Sequence, residues 1–197
     1  MNAMEALSTR ERIVAAANKL FYREGIRGVS VDAVAEEAGI TKRSLYYHFK
    51  SKDDLIEAYL GYRDQPNLDA YKRWFDEKQG PTAEKVAAIF ENLAKMASHP
   101  KWRGCGFLRT SAELANLPGH PAIVRGAAHK KKIEQWLTDC LAADSVEAPE
   151  AIASQIILLL DGSFAVVMLH RDTGYMLSAG KAARVLVETA SRRNRTA

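Results

Sequence analysis

Cysteine is scarce in this sequence. The only two thiols are those of Cys105 and Cys140, too few for a disulfide scaffold, and a structural zinc site needs more ligands at closer spacing. The five histidines show no His-Glu-x-x-His motif or other metal-ligand spacing. We therefore expect no disulfide, no metal and no cofactor.

Signals for membranes and secretion are also missing. The N-terminus lacks the apolar core of a signal peptide. The longest apolar run, residues 156–169, is interrupted by Asp161, Gly162 and Ser163 and is too short to span a bilayer. This run is typical of a buried helix, so we expect a cytoplasmic protein with no membrane partner.

Enzyme motifs fail on spacing. Ser163 does not lie in a Gly-x-Ser-x-Gly elbow. Residues 174–182 have five residues between their glycines where a phosphate-binding loop has four, and Ala182 replaces the required hydroxyl residue. We predict no enzymatic activity and no catalytic residues.

Positive charge is local and not general. The chain has a formal charge of only +4, and residues 1–60 carry nine basic and nine acidic side chains. Residues 41–52, TKRSLYYHFKSK, nevertheless contain four cations and no acid. The segment is either a solvated helix end or a surface for an anionic partner such as nucleic acid. Solvated faces are expected for residues 129–132 and for the tail residues Arg192, Arg193 and Arg195.

Helical spacing recurs along the chain, whereas strand-like alternation is almost absent. A capping box from Ser8 to Glu11 begins a first helix, which Gly25 ends through a left-handed cap. Its apolar stripe comprises Ile13, Val14, Ala17, Leu20 and Phe21. Ser51 begins a fourth helix that Pro66 kinks or ends. Later helical patterns cover residues 80–97, 107–116, 121–143, 149–171 and 178–193.

Two short helices between these form a helix-turn-helix pattern. Ser30 caps one, Gly39 allows the tight turn, and Thr41 caps the other. On a helical wheel Leu45 and Phe49 point to the core. The opposite face presents Arg43, Tyr47 and Lys50, flanked by Ser44 and Tyr46. Such a face suits the DNA major groove, because arginine pairs with guanine and the other side chains bind phosphates or base edges.

Residues 9–60 resemble the DNA-binding domain of the tetracycline-repressor (TetR) family of bacterial transcriptional regulators. The most specific parts are the break at Gly25, the stretch VDAVAEEAGITKRSLYYHF (31–49) and KSKDDL (50–55). The rest resembles the family only in layout, although GCGFLRTSAELA (104–115) is similar to a segment of some family ligand domains. We predict an all-α fold, with a three-helix DNA-binding domain at 1–52 and an effector-binding and dimerisation bundle at 53–197.

The resemblance implies a set of DNA contacts. In family members, bases or nearby phosphates are contacted by the residues at the positions of Thr41, Lys42, Arg43, Ser44 and Tyr47. The DNA backbone is contacted mainly from the positions of Tyr46, His48 and Lys52, and Ser30 with the start of the second helix matches another phosphate clamp. His48 has an equal alternative as a partly buried residue bonded within the fold.

The last two helices are expected to form a homodimer, as they do in the family. Residues 149–171 are apolar nearly all round, more than one core face requires. The final helix supplies Ala182, Val185, Leu186 and Thr189 at helical spacing. The alternative is that both helices form the core of a monomeric bundle.

The family also holds a small-molecule effector in its larger domain. Candidate effector-binding residues are the aromatic side chains Tyr62, Phe90, Trp102, Phe107 and Phe164 and the polar anchors Glu113 and Asp161. The alternative for the aromatic residues is plain core. Asp161 lies in an apolar run and needs a partner, which is solvent, a helix end, the dimer partner or a ligand.

These patterns predict a homodimeric repressor that binds double-stranded operator DNA and is released by an unidentified effector. The effector shifts the fourth helix and changes the separation of the two reading helices. The alternatives are an activator of the same fold, or a helical ligand-binding or enzyme domain whose N-terminal unit is an interaction module.

Overall fold

The computed structural model describes residues 7–193, with the side chains of 7–191. The tail residues Arg192, Arg193 and Arg195, predicted to be solvated, therefore lie outside the described side chains. Within the described range the chain forms nine α-helices and no strand, which confirms the predicted all-α fold. The helices are α1 (Thr9–Glu24), α2 (Val31–Glu37), α3 (Lys42–His48), α4 (Lys52–Glu77), α5 (Thr82–Ala97), α6 (Gly106–Glu113), α7 (Pro121–Ala143), α8 (Pro149–His170) and α9 (Gly174–Arg193).

The helices pack into two compact units. The first contains the described residues up to Pro66 together with Gly106–Ala127, and the second contains Asn67–Cys105 and the chain from Ala128 onward. As packing units, therefore, α6 and the start of α4 belong with the N-terminal helices. The predicted functional division after residue 52 stays a prediction.

The start of α1 follows the sequence pattern. Ser8 Oγ accepts a hydrogen bond from the Glu11 amide at 3.3 Å, and the Glu11 carboxylate accepts one from the Ser8 amide at 2.8 Å. The bond from the Ser8 side chain lowers the pKa of Glu11. All five residues of the predicted apolar stripe are buried.

Gly25 ends α1 with a backbone that differs from the predicted left-handed cap. Its φ of 85° is positive, as expected for glycine, but its ψ of 162° is extended and not helical. The Gly25 amide donates to the Phe21 carbonyl at 2.9 Å. The chain therefore leaves α1 in an extended turn, and the next two amides, of Ile26 and Arg27, donate to the Glu113 carboxylate.

The helix-turn-helix forms at the predicted residues. Ser30 Oγ accepts from the Ala33 amide at 3.1 Å, Thr41 Oγ1 accepts from the Ser44 amide at 3.2 Å, and Gly39 adopts φ of 66°. Side-chain caps of this kind satisfy amides that the first helical turn leaves without a partner. Both short helices therefore begin at their predicted positions.

Arg12 of α1 fixes the turn between those helices. Its Nη2 donates to the carbonyls of Ala38 at 2.7 Å and Gly39 at 3.2 Å. A cation at the C-terminus of α2 also interacts favourably with the helix dipole. This contact joins α1 to the turn before α3 and was not predicted from the sequence.

Pro66 was predicted to kink or to end the fourth helix. The predicted end is wrong. The helix α4 begins at the predicted Ser51 cap, where Ser51 Oγ accepts from the Asp54 amide at 3.0 Å, and it continues through Pro66 to Glu77. Proline removes one helical hydrogen bond, which leaves the carbonyl of the residue four positions earlier without a donor. That residue is Tyr62, which is 55% exposed as a whole residue.

In the second unit, α9 packs closely on α5. A Cβ added at Gly180 would lie 2.7 Å from the Cβ of Phe90, which is fully buried. The absence of a side chain at residue 180 therefore sets how closely the two helices approach. Phe90, a candidate effector-binding residue, lies in this helix contact.

The helix α8 is buried on one face only. The apolar run 156–169 was expected to be too short to span a bilayer, but it lies in a 22-residue helix that is long and apolar enough to do so by length and composition alone. Core helices of soluble proteins meet the same test. Only a third of its most apolar window is buried within the chain, and Leu158 and Leu169 are 70% and 79% exposed. The expectation of a buried helix therefore holds for one face.

We predict that Arg12→Met destabilises the first unit by about 1–2 kcal/mol, because a charged donor to two carbonyls is lost while the side-chain stem remains. The measurement is urea denaturation followed by circular dichroism. The matched control is Lys19→Met on the same helix. Lys19 is exposed and bonded to Glu37 at 2.6 Å, so its loss costs less than about 1 kcal/mol. Equal losses for both variants would contradict the role given to Arg12.

Two glycine-to-alanine substitutions are expected to have opposite signs. Gly180→Ala destabilises by about 1–3 kcal/mol, because its methyl group clashes with Phe90. Gly61→Ala in α4, where no atom lies within 4 Å of the added Cβ, stabilises by up to about 1 kcal/mol through helix propensity. Thermal denaturation of both variants measures the difference, and a neutral Gly180→Ala would show that α5 and α9 separate easily.

Candidate nucleic-acid interface

The core anchors of α3 determine which of its faces meets solvent. Leu45 and Phe49 are almost completely buried. Arg43 and Tyr47 lie on the opposite, exposed face, and Tyr47 is 78% exposed. Lys50, predicted for the same helical face, is also exposed, but it follows the end of α3 at His48. Exposed arginine and tyrosine side chains on a helix, with a lysine just after it, can contact phosphates and base edges in a major groove.

Two capping hydroxyls lie at the starts of α2 and α3. Ser30 and Thr41 are exposed, and each oxygen already accepts a backbone amide hydrogen. Their own hydroxyl hydrogens are then free to be donated to a phosphate oxygen. Ser44, one turn into α3, is half-buried beside this end.

Lys42 is held by an acid of the preceding helix. Its Nζ lies 3.0 Å from Asp32 Oδ2, and this hydrogen bond raises the pKa of Lys42. Both side chains are more than half exposed, so the ion pair is weak and a phosphate can compete with it. Lys42 is therefore charged and placed at the start of α3.

Lys52 is partly buried at the start of α4. Burial lowers the pKa of Lys52, and the neighbouring Glu113 and Asp53 oppose that shift. The adjacent loop is fixed by the Lys50 amide, which donates to the Asp54 carboxylate at 3.0 Å. The ammonium group of Lys52 thus lies near a carboxylate of α6.

His48 and Tyr46 occupy the flanks of the reading face. His48 is half-buried, and its ring meets that of Tyr47 edge-on with centroids 5.2 Å apart. It also lines a groove of about 560 Å³, so both interpretations of His48 stay open. Tyr46 is exposed. Arg10, which was not predicted, lies over the Phe49 ring at 5.0 Å and lines the same groove.

The candidate effector residues do not fall in one compact unit. Tyr62, Phe107 and Glu113 belong to the first unit, whereas Phe90, Trp102, Asp161 and Phe164 belong to the second. Tyr62 is exposed and Phe107 is buried. The Glu113 carboxylate accepts two backbone amides, those of Ile26 and Arg27. As effector contacts, all seven residues stay predictions.

Asp161 has a partner within its own chain. It forms an ion pair with Lys130, whose Nζ lies 5.7 Å from the centroid of the Phe164 ring. The Trp102 and Phe164 rings are nearly parallel, with centroids 6.4 Å apart. The expected solvated face at 129–132 is partly wrong, because His129 is buried and the Lys130 side chain is only 18% exposed.

A buried tyrosine completes this polar cluster. Burial raises the pKa of Tyr71, and the neighbouring Cys105 and Asp161 raise it further, so its hydroxyl stays neutral. Tyr71 and Lys130 were not predicted as site residues, since neither lies in a motif.

Burial also raises the pKa of the Cys140 thiol. Within residues 7–193, no group of three histidine, cysteine, aspartate or glutamate side chains is arranged to hold a metal.

The outer faces of α8 and α9 form an open apolar groove of about 690 Å³. Its lining residues are Gln155, Leu158, Leu159, Lys181, Ala182, Val185 and Leu186. Three residues predicted to contact a second copy, Ala182, Val185 and Leu186, are among them. An exposed apolar surface of this kind is typical of a protein–protein contact.

Comparison with known proteins identifies the first unit. Residues 13–59 match the model of bacterial regulatory proteins of the tetR family. The HTH-type transcriptional regulator TtgW from Pseudomonas putida is 38% identical over 64 residues, which are 32% of this chain and 48% of TtgW. The chain thus spans about half the length of that relative.

Two other relatives extend the match to both units. The HTH-type transcriptional regulator YjdC from Escherichia coli is 25% identical over 175 residues, covering 86% of this chain and 91% of YjdC. The crystal structure of a protein assigned as a tetR transcriptional regulator from Streptomyces avermitilis has a TM-score of 0.77 and 30% identity, over 90% of this chain and 98% of that one. This chain therefore belongs to the TetR family of bacterial transcriptional regulators.

Proposed function

We propose that this protein is a cytoplasmic transcriptional regulator that binds operator DNA in a sequence-specific way. The observation that carries the proposal is the outward face of α3, on which Arg43 and Tyr47 are exposed while Leu45 and Phe49 hold the helix. Arg43 pairs with a base edge, and the hydroxyls of Ser30 and Thr41 bind phosphates. None of the three relatives' names specifies an operator, so the operator sequence is to be identified by selection from random DNA.

A second copy of the chain supplies the rest of the specificity. One reading helix makes few base contacts, and two-fold dimers solve this by reading two half-sites together. The open apolar groove between α8 and α9 supports dimerisation, because pairing it with itself buries Leu158 and Val185, which are exposed in the single chain.

A small molecule regulates DNA binding in this proposal. The second unit holds the Lys130–Asp161 ion pair beside Phe164, and α4 runs as one helix from Lys52 through residues of both units. An effector that binds the second unit shifts α4 and changes the separation of the two reading helices. The operator is then released, which makes the protein a repressor.

The overall test is selection of random DNA on the purified protein, followed by a screen of metabolites for release of the selected site. A selected palindrome with half-sites about one helical turn apart, or a multiple of this, is the expected result. Recovery of no preferred sequence at physiological salt would contradict the proposal.

Arg43→Ala is expected to lose about 1–3 kcal/mol of preference for the selected operator, because a base contact is removed. Lys52→Ala is expected to weaken binding to every sequence alike and to reduce the salt dependence of binding, because it removes a phosphate contact. Titrations of operator and scrambled DNA at several salt concentrations separate the two. If Arg43→Ala weakens both DNAs equally, Arg43 does not read a base.

Leu158→Glu is expected to raise the dimer dissociation constant more than about tenfold, because it brings two carboxylates into the apolar contact. Sedimentation velocity at micromolar concentration measures this. Met96→Glu is the matched control, since Met96 is also exposed in the second unit but does not line the groove. A stable monomer of the unchanged protein at that concentration would show that the proposed interface does not form.

A further inference from the structure

The C-terminal residue of α6 holds the turn between α1 and α2. Glu113 Oε1 accepts the Ile26 amide at 3.2 Å, and Glu113 Oε2 accepts the Arg27 amide at 2.9 Å. Both amides precede α2 and belong to no helix. Hydrogen bonds from backbone amides to a carboxylate are charge-assisted and stronger than neutral ones, so this side chain fixes two successive peptide units.

The turn is shaped to receive that carboxylate. A Cβ added at Gly25 would lie 2.8 Å from Glu113 Oε1, and the positive φ of Gly25 also disfavours a side chain there. Glycine at this position therefore lets the carboxylate approach the backbone closely. The extended ψ of Gly25 precedes the two amides that face Glu113.

Two further hydrogen bonds join the same segments of the first unit. Arg27 Nη2 donates to Asn116 Oδ1 at 3.0 Å, just after α6. Arg109 Nη1, on α6, donates to the Tyr22 carbonyl in the last turn of α1 at 2.7 Å. The end of α1 and the turn after it are thus bonded to α6 and to the residues just after it, and Glu113 accepts the two backbone amides among these contacts.

The held turn leads directly into the DNA-binding surface. Ser30, the capping residue of α2 and a proposed phosphate contact, follows Arg27 by three positions. The Lys42 side chain, at the start of α3, is bonded to Asp32 in the first turn of α2. A displacement of the turn therefore displaces a phosphate-binding hydroxyl and the partner of Lys42.

We propose that Glu113 is a positioning residue for DNA reading, which sets the start of α2 through the amides of Ile26 and Arg27. The inference rests on the proposed function and goes beyond it, since Glu113 itself touches no DNA. Both of its carboxylate oxygens are already engaged by amides. This assigns Glu113 to the positioning of the DNA-binding surface instead of to the effector site.

If Glu113 acted only through its negative charge, removing that charge would have the opposite effect on DNA affinity. Glu113 lies near Lys52, a proposed phosphate contact. Replacing the carboxylate with a neutral group makes the protein more positive and strengthens its attraction to any DNA. Weaker operator binding by a neutral variant therefore indicates lost positioning and cannot arise from the charge change.

The experiment compares Glu113→Gln and Glu113→Met with the unchanged dimer. Glutamine keeps one acceptor oxygen, whereas methionine keeps the length of the side chain and accepts no strong hydrogen bond. Glu36→Gln is the control for charge, because Glu36 is exposed on α2. Dissociation constants are measured for the selected operator and for scrambled DNA, and amide exchange and chemical shifts of Ile26 and Arg27 are followed by NMR.

Operator affinity is expected to fall from the unchanged protein to Glu113→Gln and further to Glu113→Met. The loss of affinity for Glu113→Met is roughly tenfold, which is the size of one good contact. Scrambled DNA is bound as well as before or more tightly, and exchange of the two amides accelerates in the same order. Glu36→Gln binds both DNAs no more weakly than the unchanged protein. If Glu113→Met does not fold, the expected partial loss of operator affinity in Glu113→Gln still tests the inference.

Operator binding at the original affinity, in a variant whose two amides exchange freely, would overturn the inference and leave the proposed function standing. Equal loss of affinity for operator and scrambled DNA would also overturn it, because general destabilisation then explains the result. If the unchanged protein selects no DNA sequence, the proposed function fails first and the inference fails with it.

Discussion

The burial of Leu45 and Phe49 is the constraint on which the reading surface depends. A helix of seven residues is too short to be stable alone in water, so α3 exists because these two side chains pack into the first unit and Thr41 caps its start. The same packing fixes the rotation of the helix. Arg43 and Tyr47 face solvent because the opposite positions are buried, and the chemistry of the surface follows from the core.

Charge in the first unit is balanced by local pairing. Lys42 is bonded to Asp32, Lys19 to Glu37, and Lys52 lies near Glu113. Balanced charge limits attraction to arbitrary DNA, because non-specific binding scales with the number of phosphates that cations neutralise. A regulator that must find one site among many benefits from this, since the ratio of specific to non-specific affinity sets its selectivity.

Local patterns made much of the fold predictable, whereas contacts between distant segments were not. The caps at Ser8, Ser30 and Thr41 depend on residues three positions apart and appear as predicted. Arg12 and Glu113 bind backbone groups far along the chain, and the spacing of residues in the sequence does not indicate such partners. Pro66 was predicted to kink or to end the fourth helix, and the helix continues through it to Glu77, so the end does not occur. The proposed effector site is the least predictable part, because aromatic residues at helical spacing are equally typical of plain core.

The apolar character of α8 on nearly every side has two separate causes in this fold. Its inner face, with Ile156 and Leu160, is buried within the chain, and its outer face, with Leu158, is not. Asp161 sits between these faces and meets Lys130 of α7. An unpaired carboxylate in such surroundings is costly, so the ion pair explains how an acid persists in an apolar helix. Asp161 needs neither a second copy nor a ligand to be satisfied, and the outer groove proposed for the dimer is lined mainly by apolar side chains, with Gln155 and Lys181 among them.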